Sequence, residues 1–174
     1  MKILAVQSRM GIGDTVIFLP FIKALSKKFN SPISILVKEN SKANQYLHQT
    51  KYIDKILTLE RDNKTNNRHG GFFGIFKLAN DLKKYKFDKI FIFNSSLRFN
   101  LVAKISGIPQ IYQYPLFAKN KQHIIEAPKK FLKKNLDLDI NEDPEVQIDS
   151  DLISKAAQKF QIDKNTTNIL LGIG

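Results

Sequence analysis

Asp14 stands at the mouth of an apolar helix in the stretch SRMGIGDTVIFLPFIKAL, residues 8–25, just after Gly11 and Gly13. A carboxylate at that place has three uses. It can cap the helix with a side-chain oxygen, it can hold a bound group, or it can face a substrate hydroxyl and take its proton as a general base. A helix N-terminus keeps a carboxylate ionised and makes it a modest base, so that third use demands close positioning over the hydroxyl. The glycines let the backbone approach a ligand, and the helix start offers unpaired N–H groups. The dinucleotide pattern G-x-G-x-x-G is incomplete, because its third glycine position holds Val16. A phosphate-binding P-loop fits less well still, because no G-K-[ST] follows, and an anion cradle sits badly with Asp14, whose charge would repel a phosphate.

Other residues with chemical potential are sparse. His123 and Glu126 are spaced i, i+3 and can share a helical face, but two ligands are too few for a metal centre, and His48 and His69 have no matching partners. No metal site is expected. Ser95 and Ser96 follow a strand-like run without the G-x-S-x-G elbow of a serine hydrolase. Lys129, Lys130, Lys133 and Lys134 make a basic helical face. It is either a solvated surface or a contact for anionic headgroups or phosphates, at about 1 kcal/mol per basic residue near an anionic membrane. Phe72, Phe73 and Phe76 could dip into such a surface, although packing into the core is the simpler use for them.

The chain has 174 residues, enough for one ordinary domain with its own core, and it contains no cysteine. Disulfides and thiolate chemistry are excluded, and a reducing compartment fits. Its longest apolar run, near Val16–Ile22, is interrupted by Pro20 and falls far short of the roughly 20 residues of a spanning helix. Lys2 leads directly into a strand-like run rather than a signal peptide. A cytoplasmic protein is expected. The net charge is +12, unevenly spread: residues 1–136 carry 25 Lys/Arg against 8 Asp/Glu, whereas 137–151 carry seven acids and no base. A basic body points to an anionic partner. Lysine outnumbers arginine 24 to 4 beside abundant Asn, Ile and Phe, so part of the basicity reflects AT-rich codons.

The elements alternate. Strands are predicted at 2–7, 33–37, 55–59, 88–94, 110–114 and 168–174, and helices at 14–29, 40–50, 72–86, 97–107, 123–136 and 151–161, with a mobile polar loop at 61–71. Pro20 predicts a kink or a late start in the first helix. The helix at 72–86 is expected to bury Phe72, Ile75, Phe76, Ala79 and Leu82. The strand at 88–94 is apolar on both faces, as a covered parallel strand must be. The pattern implies an α/β fold with a parallel sheet and helices on both sides.

In order along the chain, four segments resemble glycosyltransferase family 9, the ADP-heptose:lipopolysaccharide heptosyltransferases, in its N-terminal half. They are MKILAVQSRMGIGDTVIFLPFIKALSKKF with Gly13, Asp14 and Pro20; YKFDKIFIFNSSLRFNLVAKISGIP; HIIEAPKKFLKKNLDL; and NILLGIG. The sequence departs from the family in a turn before Asp14 about one residue longer, in Gln7 where a lysine is common, and in Ile92, Phe93 and Phe99. The resemblance implies a doubly wound, Rossmann-like sheet forming one half of a GT-B fold. Residues 1–150 would bind the acceptor, and 151–174 would lead into a missing donor-binding domain. It also implies inverting, metal-independent sugar transfer from a nucleotide-sugar such as ADP-heptose, which is a co-substrate, so no cofactor is expected. Asp14 would be the catalytic base, and Gly11, Gly13, Asn94, Arg98, His123 and Glu126 would contact substrate. The partners implied are a lipopolysaccharide core glycolipid and the anionic inner face of the inner membrane, with no nucleic acid. The competing reading is a non-catalytic basic module for nucleotide or nucleic acid, although no helix-turn-helix or RNP-like aromatic pattern is present.

Overall fold

The computed structural model describes residues 1–9, 11–61, 67–116, 123–163 and 165–168. Five strands, β1 (Ile3–Val6), β2 (Ile33–Lys38), β3 (Ile53–Leu59), β4 (Lys89–Ile92) and β5 (Gln110–Gln113), form one sheet in the order β3-β2-β1-β4-β5. Every pairing is parallel. β1 lies at the centre, with Ile3 between Ile33 and Lys89 and Val6 between Leu36 and Ile92. All four of its residues are buried. Successive side chains alternate between faces: Ile3 and Ala5 enter one core, Leu4 and Val6 the other. This two-sided burial explains why the strands read as unbroken apolar runs.

On one face lie α1 (Ile12–Phe29), the short α2 (Ala43–Tyr46) and α5 (Glu126–Leu136), which supply Phe18, Leu25, Ala43 and Phe131 to the core. On the other lie α3 (Phe73–Lys83) and α4 (Leu97–Ile105), which supply Leu78, Leu82, Phe99 and Val102. A final helix, α6 (Ser150–Lys159), is capped by Asp149, whose side chain accepts from Asp151 N at 2.7 Å, and buries none of its residues. Residues 169–174 of the strand expected at 168–174 and 62–66 of the loop at 61–71 fall outside the described residues.

Several boundaries differ from expectation. α1 begins at Ile12, two residues early, because Gly11 takes the cap position with φ 103°, a conformation that favours glycine. The helix continues through Pro20. At 40–50 only α2 and a 3-10 turn at Glu39–Ser41 form. α5 starts at Glu126 instead of 123, with Pro128 in its first turn. α3 buries Ile75, Leu78, Ala79 and Leu82, while Phe72 and Phe76 point outward. The buried stripe thus runs 75-78-79-82, and the two phenylalanines lie outside it.

The acidic stretch returns to the body. Ile140 is buried against the α1 side, Glu142 pairs with Lys23 at 3.2 Å and with Lys27, and Gln147 Oε1 accepts from Lys51 N at 3.1 Å. The segment neutralises part of α1.

His69 anchors the start of α3. Its Nδ1 accepts from Glu60 N at 3.1 Å, which leaves the proton on Nε2 to be donated to Asp81 Oδ2 at 3.1 Å. A Cβ on Gly74 would collide with the carbonyl carbon and oxygen of His69, so this turn admits only glycine. Gly74→Ala is expected to lower stability by about 1–3 kcal/mol in urea unfolding, because the obstacle is backbone and cannot swing away; an unchanged midpoint would show that the turn yields.

Burial by itself would raise the Asp81 carboxyl, but hydrogen bonds from His69 and Lys84 and the charges of Arg68 and Lys84 outweigh it and hold the group below its ordinary value. A carboxyl depressed in the folded chain contributes stability at neutral pH that is lost as the pH falls through its folded value. Wild type should therefore lose stability more steeply than Asp81→Asn as the pH drops below about 4. Parallel stability curves would remove this role.

Candidate functional site at the sheet's switch point

The strand order reverses between β1 and β4: from β1 the chain adds β2 and β3 on one side, then returns to add β4 and β5 on the other. In an open parallel sheet, the loops leaving such neighbouring strands diverge to opposite faces and open a crevice at the carboxyl ends. A cavity of about 610 Å³ lies there. Arg9 follows β1, Asn94 and Ser95 follow β4, and Gln113, Tyr114 and Pro115 come from the end of β5. α5 closes the remaining wall with Phe131, Lys130 and Lys134.

A polar network sets the geometry of the loops. Gln7, buried at the end of β1, donates from Nε2 to Asp14 O at 3.3 Å and accepts from Arg9 N at 2.9 Å, folding the turn between them. Asn94 Nδ2 donates to Ser8 Oγ at 2.7 Å, and Asn94 Oδ1 accepts from Ser96 N at 2.6 Å. Gln113 Nε2 donates to the carbonyls of Asn94 and Ser96, both at 2.9 Å, and Gln113 Oε1 accepts from Asn100 Nδ2 at 2.9 Å. The floor is aromatic. Phe93 meets Phe18 and Phe131 edge-on, each at 5.4 Å, and Tyr114 meets Phe131 at 5.0 Å. Such edge-to-face pairs fix ring orientation, and they dock α5 onto β4 and β5.

The lining is cationic: Arg9, Lys130 and Lys134 contribute positive charge, and none of the described lining residues is acidic. Tyr114 has a buried hydroxyl without a hydrogen-bond partner among the described residues, and burial pushes its ionisation up, outweighing the opposing charge of Arg9. A buried unsatisfied hydroxyl in a cavity wall is rare and costs stability. The cavity can therefore receive a polar, negatively charged group at its rim and a flat apolar surface on its floor.

Asp14 is the third residue of α1, and the cap is Gly11. Its carboxylate makes no hydrogen bond to any described residue, so the capping use is not realised. It is partly exposed and lies outside the cavity lining, on the helix that continues from the Arg9 turn. Gly13 is the exposed second helical residue. Asn94 lies in the cavity wall. Arg98 is turned to the α3 side, where its guanidinium donates to the carbonyls of Gly71, at 2.8 Å, and His69. His123 and Glu126 are exposed at the start of α5, outside the lining; the helix meets the cavity through its neighbour Ala127 and, one turn later, through Lys130. Of the predicted site residues the structure thus brings Asn94 to the cavity lining and leaves Gly11, Gly13, Asp14, Arg98, His123 and Glu126 outside it. Among the described residues no group of three or more His, Asp or Glu is placed to hold a metal.

Arg9, Gln113 and Tyr114 drew no attention in the sequence. Arg9 carried one signal, being one of only four arginines in a lysine-rich chain and lying in the first strand-to-helix turn. The functional face of α5 was visible only as an undivided run of lysines.

No protein-family model and no curated protein matches the sequence. Solved structures do match the fold. The glycosyl transferase family 9 protein from Veillonella parvula DSM 2008 superposes with a TM-score of 0.69 at 18% identity, over 92% of this chain and 49% of that one. The chain has the fold of about half a family 9 glycosyltransferase. E. coli ADP-heptose lps heptosyltransferase II gives 0.62 at 16% identity, over 94% and 52%. E. coli heptosyltransferase WaaC with ADP-2-deoxy-2-fluoro heptose gives 0.53 at 12%, over 84% and 51%. The chain spans about half the length of these structures, and the all-parallel sheet with flanking helices is the arrangement it shares with these GT-B enzymes.

Tyr114→Phe is expected to leave stability unchanged or to raise it by up to about 1 kcal/mol in urea unfolding, since it removes a hydroxyl that has no partner. A loss larger than that would mean the hydroxyl is already bonded in the free protein.

Proposed function

We propose that the chain is the acceptor-binding part of a glycosyltransferase that transfers a sugar from a nucleotide donor, of the ADP-heptose kind, to a glycolipid of the lipopolysaccharide core. The observation that carries the reading is the Asp14 carboxylate: it sits in the first turn of α1, unspent by capping, next to the turn whose Arg9 lines the switch-point cavity. The half-length match to heptosyltransferase folds supports the same reading. Residues 1–150 form the acceptor domain, and 151–174 lead toward a donor-binding domain.

In this mechanism Asp14 accepts the proton of an acceptor hydroxyl. The oxygen attacks the anomeric carbon from the face opposite the nucleotide, the bond from that carbon to the diphosphate oxygen breaks, and ADP departs with the electron pair. Configuration inverts in one displacement. The nucleotide-sugar is consumed as co-substrate, without a resident cofactor or metal. Arg9, Lys130 and Lys134 hold anionic groups of the acceptor, and Phe93, Tyr114 and Phe131 carry its apolar face. The glycolipid acceptor places the work at the inner face of an anionic membrane.

In the enzyme with its donor-binding half, Asp14→Asn should reduce kcat by about a hundredfold or more while leaving the melting temperature and acceptor KM near those of wild type. Turnover within a few-fold of wild type would reduce Asp14 to a favourable charge at a helix start.

A further inference from the structure

The outer face of the α3–α4 pair is more apolar than a solvated surface requires. Phe72, Phe73 and Phe76 are 69%, 76% and 44% exposed, and the rings of Phe73 and Phe76 each meet that of Phe72 edge-on, with centroids 6.0 and 5.6 Å from it. Leu97, Leu101 and Ile105, spaced four apart, form an exposed stripe along α4. Six large exposed side chains thus occupy the outward faces of two adjoining helices, which is unusual for a surface in contact with water alone.

Charge distinguishes what covers this face. Residues 67–107 contain eight Lys/Arg and two Asp/Glu. One of those acids, Asp81, is engaged by Arg68, His69 and Lys84. Lys77 on α3 and Lys104 on α4 are exposed beside the apolar residues and form no ion pair with a described residue. Aromatic rings fringed by unpaired cations match an anionic lipid surface, where rings enter the acyl boundary and ammonium groups stay among the headgroups. Three of the four lysines of α5 are committed elsewhere: Lys130 and Lys134 line the cavity, and Lys133 is held by Asp137 and Asp139, each at 2.7 Å.

We propose that the outer face of α3 and α4, led by Phe72, Phe73 and Phe76, docks the protein on an anionic lipid bilayer. The orientation is useful. Phe72 and Phe73 open α3, Leu97 opens α4, and both helices leave the carboxyl edge of the sheet at which the cavity lies. Docking by this face brings that edge toward the headgroup layer. The proposal names the surface that serves the glycolipid reading above, but its geometry stands without any transfer reaction, and vesicle binding is measured without one.

The test is sedimentation of the chain with phosphatidylcholine vesicles, with and without phosphatidylglycerol. Wild type should bind the mixed vesicles, release with rising salt, and bind phosphatidylcholine alone weakly. Phe72→Ser/Phe73→Ser/Phe76→Ser should weaken binding about tenfold or more. Lys77→Gln/Lys104→Gln should weaken it severalfold, and Lys129→Gln/Lys133→Gln should leave it unchanged. These positions are exposed, apart from the half-buried Lys129, and none contributes to a core, so circular dichroism and melting temperature should match wild type. Absence of binding by wild type, full binding by the triple serine variant, or self-association that the serine variant abolishes would each overturn the proposal, the last by assigning the face to a second copy of the chain. Loss of transfer by Asp14→Asn with normal vesicle binding, or the reverse, separates this proposal from the catalytic one.

Discussion

The Asn94 side chain joins Ser8 at the end of β1 to Ser96 before α4, and Gln113 at the end of β5 closes on the same loop. The cavity depends on this joint. Loops at the carboxyl ends of parallel strands carry backbone groups that the ladder no longer satisfies, and buried polar groups without partners are costly. Here the amides of Asn94 and Gln113 supply those partners. Three consecutive positions across the sheet, β1, β4 and β5, are thereby held in one register, and the crevice at the strand-order reversal keeps its shape.

The aromatic floor rests on that joint. Phe93 leads directly into Asn94, and its ring is gripped by Phe18 of α1 and Phe131 of α5. The polar loop and the hydrophobic core therefore meet within two residues. α5 is docked by Phe131, and this sets which of its lysines turn into the cavity and which face away. Electrostatics follows packing: one helix contributes cations to the site, and one turn away its Lys133 is neutralised by the acidic segment that follows.

The same division explains a strongly basic protein without a uniformly basic surface. Acids of the 137–149 segment fold back on Lys23 and Lys27 of α1. Exposed pairs of this kind add little stability each, but they remove positive charge from that side. Cations that form no ion pair with a described residue remain at the cavity rim and on the α3–α4 face, where the exposed phenylalanines also lie.

The amino-acid sequence by itself determined the alternation of strands and helices, the parallel sheet, the approximate limits of β1, β2, β4 and α4, and the Gly-Asp turn as the place of chemical interest. Those features are local: apolar periodicity and glycine placement are written in consecutive residues. It misjudged α2, whose weak periodicity did not sustain a longer helix, and α3, where two interleaved apolar stripes compete and only burial in the core shared with the sheet and α4 selects Ile75 and Leu78 over Phe72 and Phe76. Tertiary structure alone decided that Arg9, Asn94, Tyr114 and Lys130 share a cavity while Arg98, His123 and Glu126 do not. Four sites scattered over more than a hundred residues become neighbours through the order in which the strands pair. That order comes from long-range burial and loop closure, which no single stretch of sequence records.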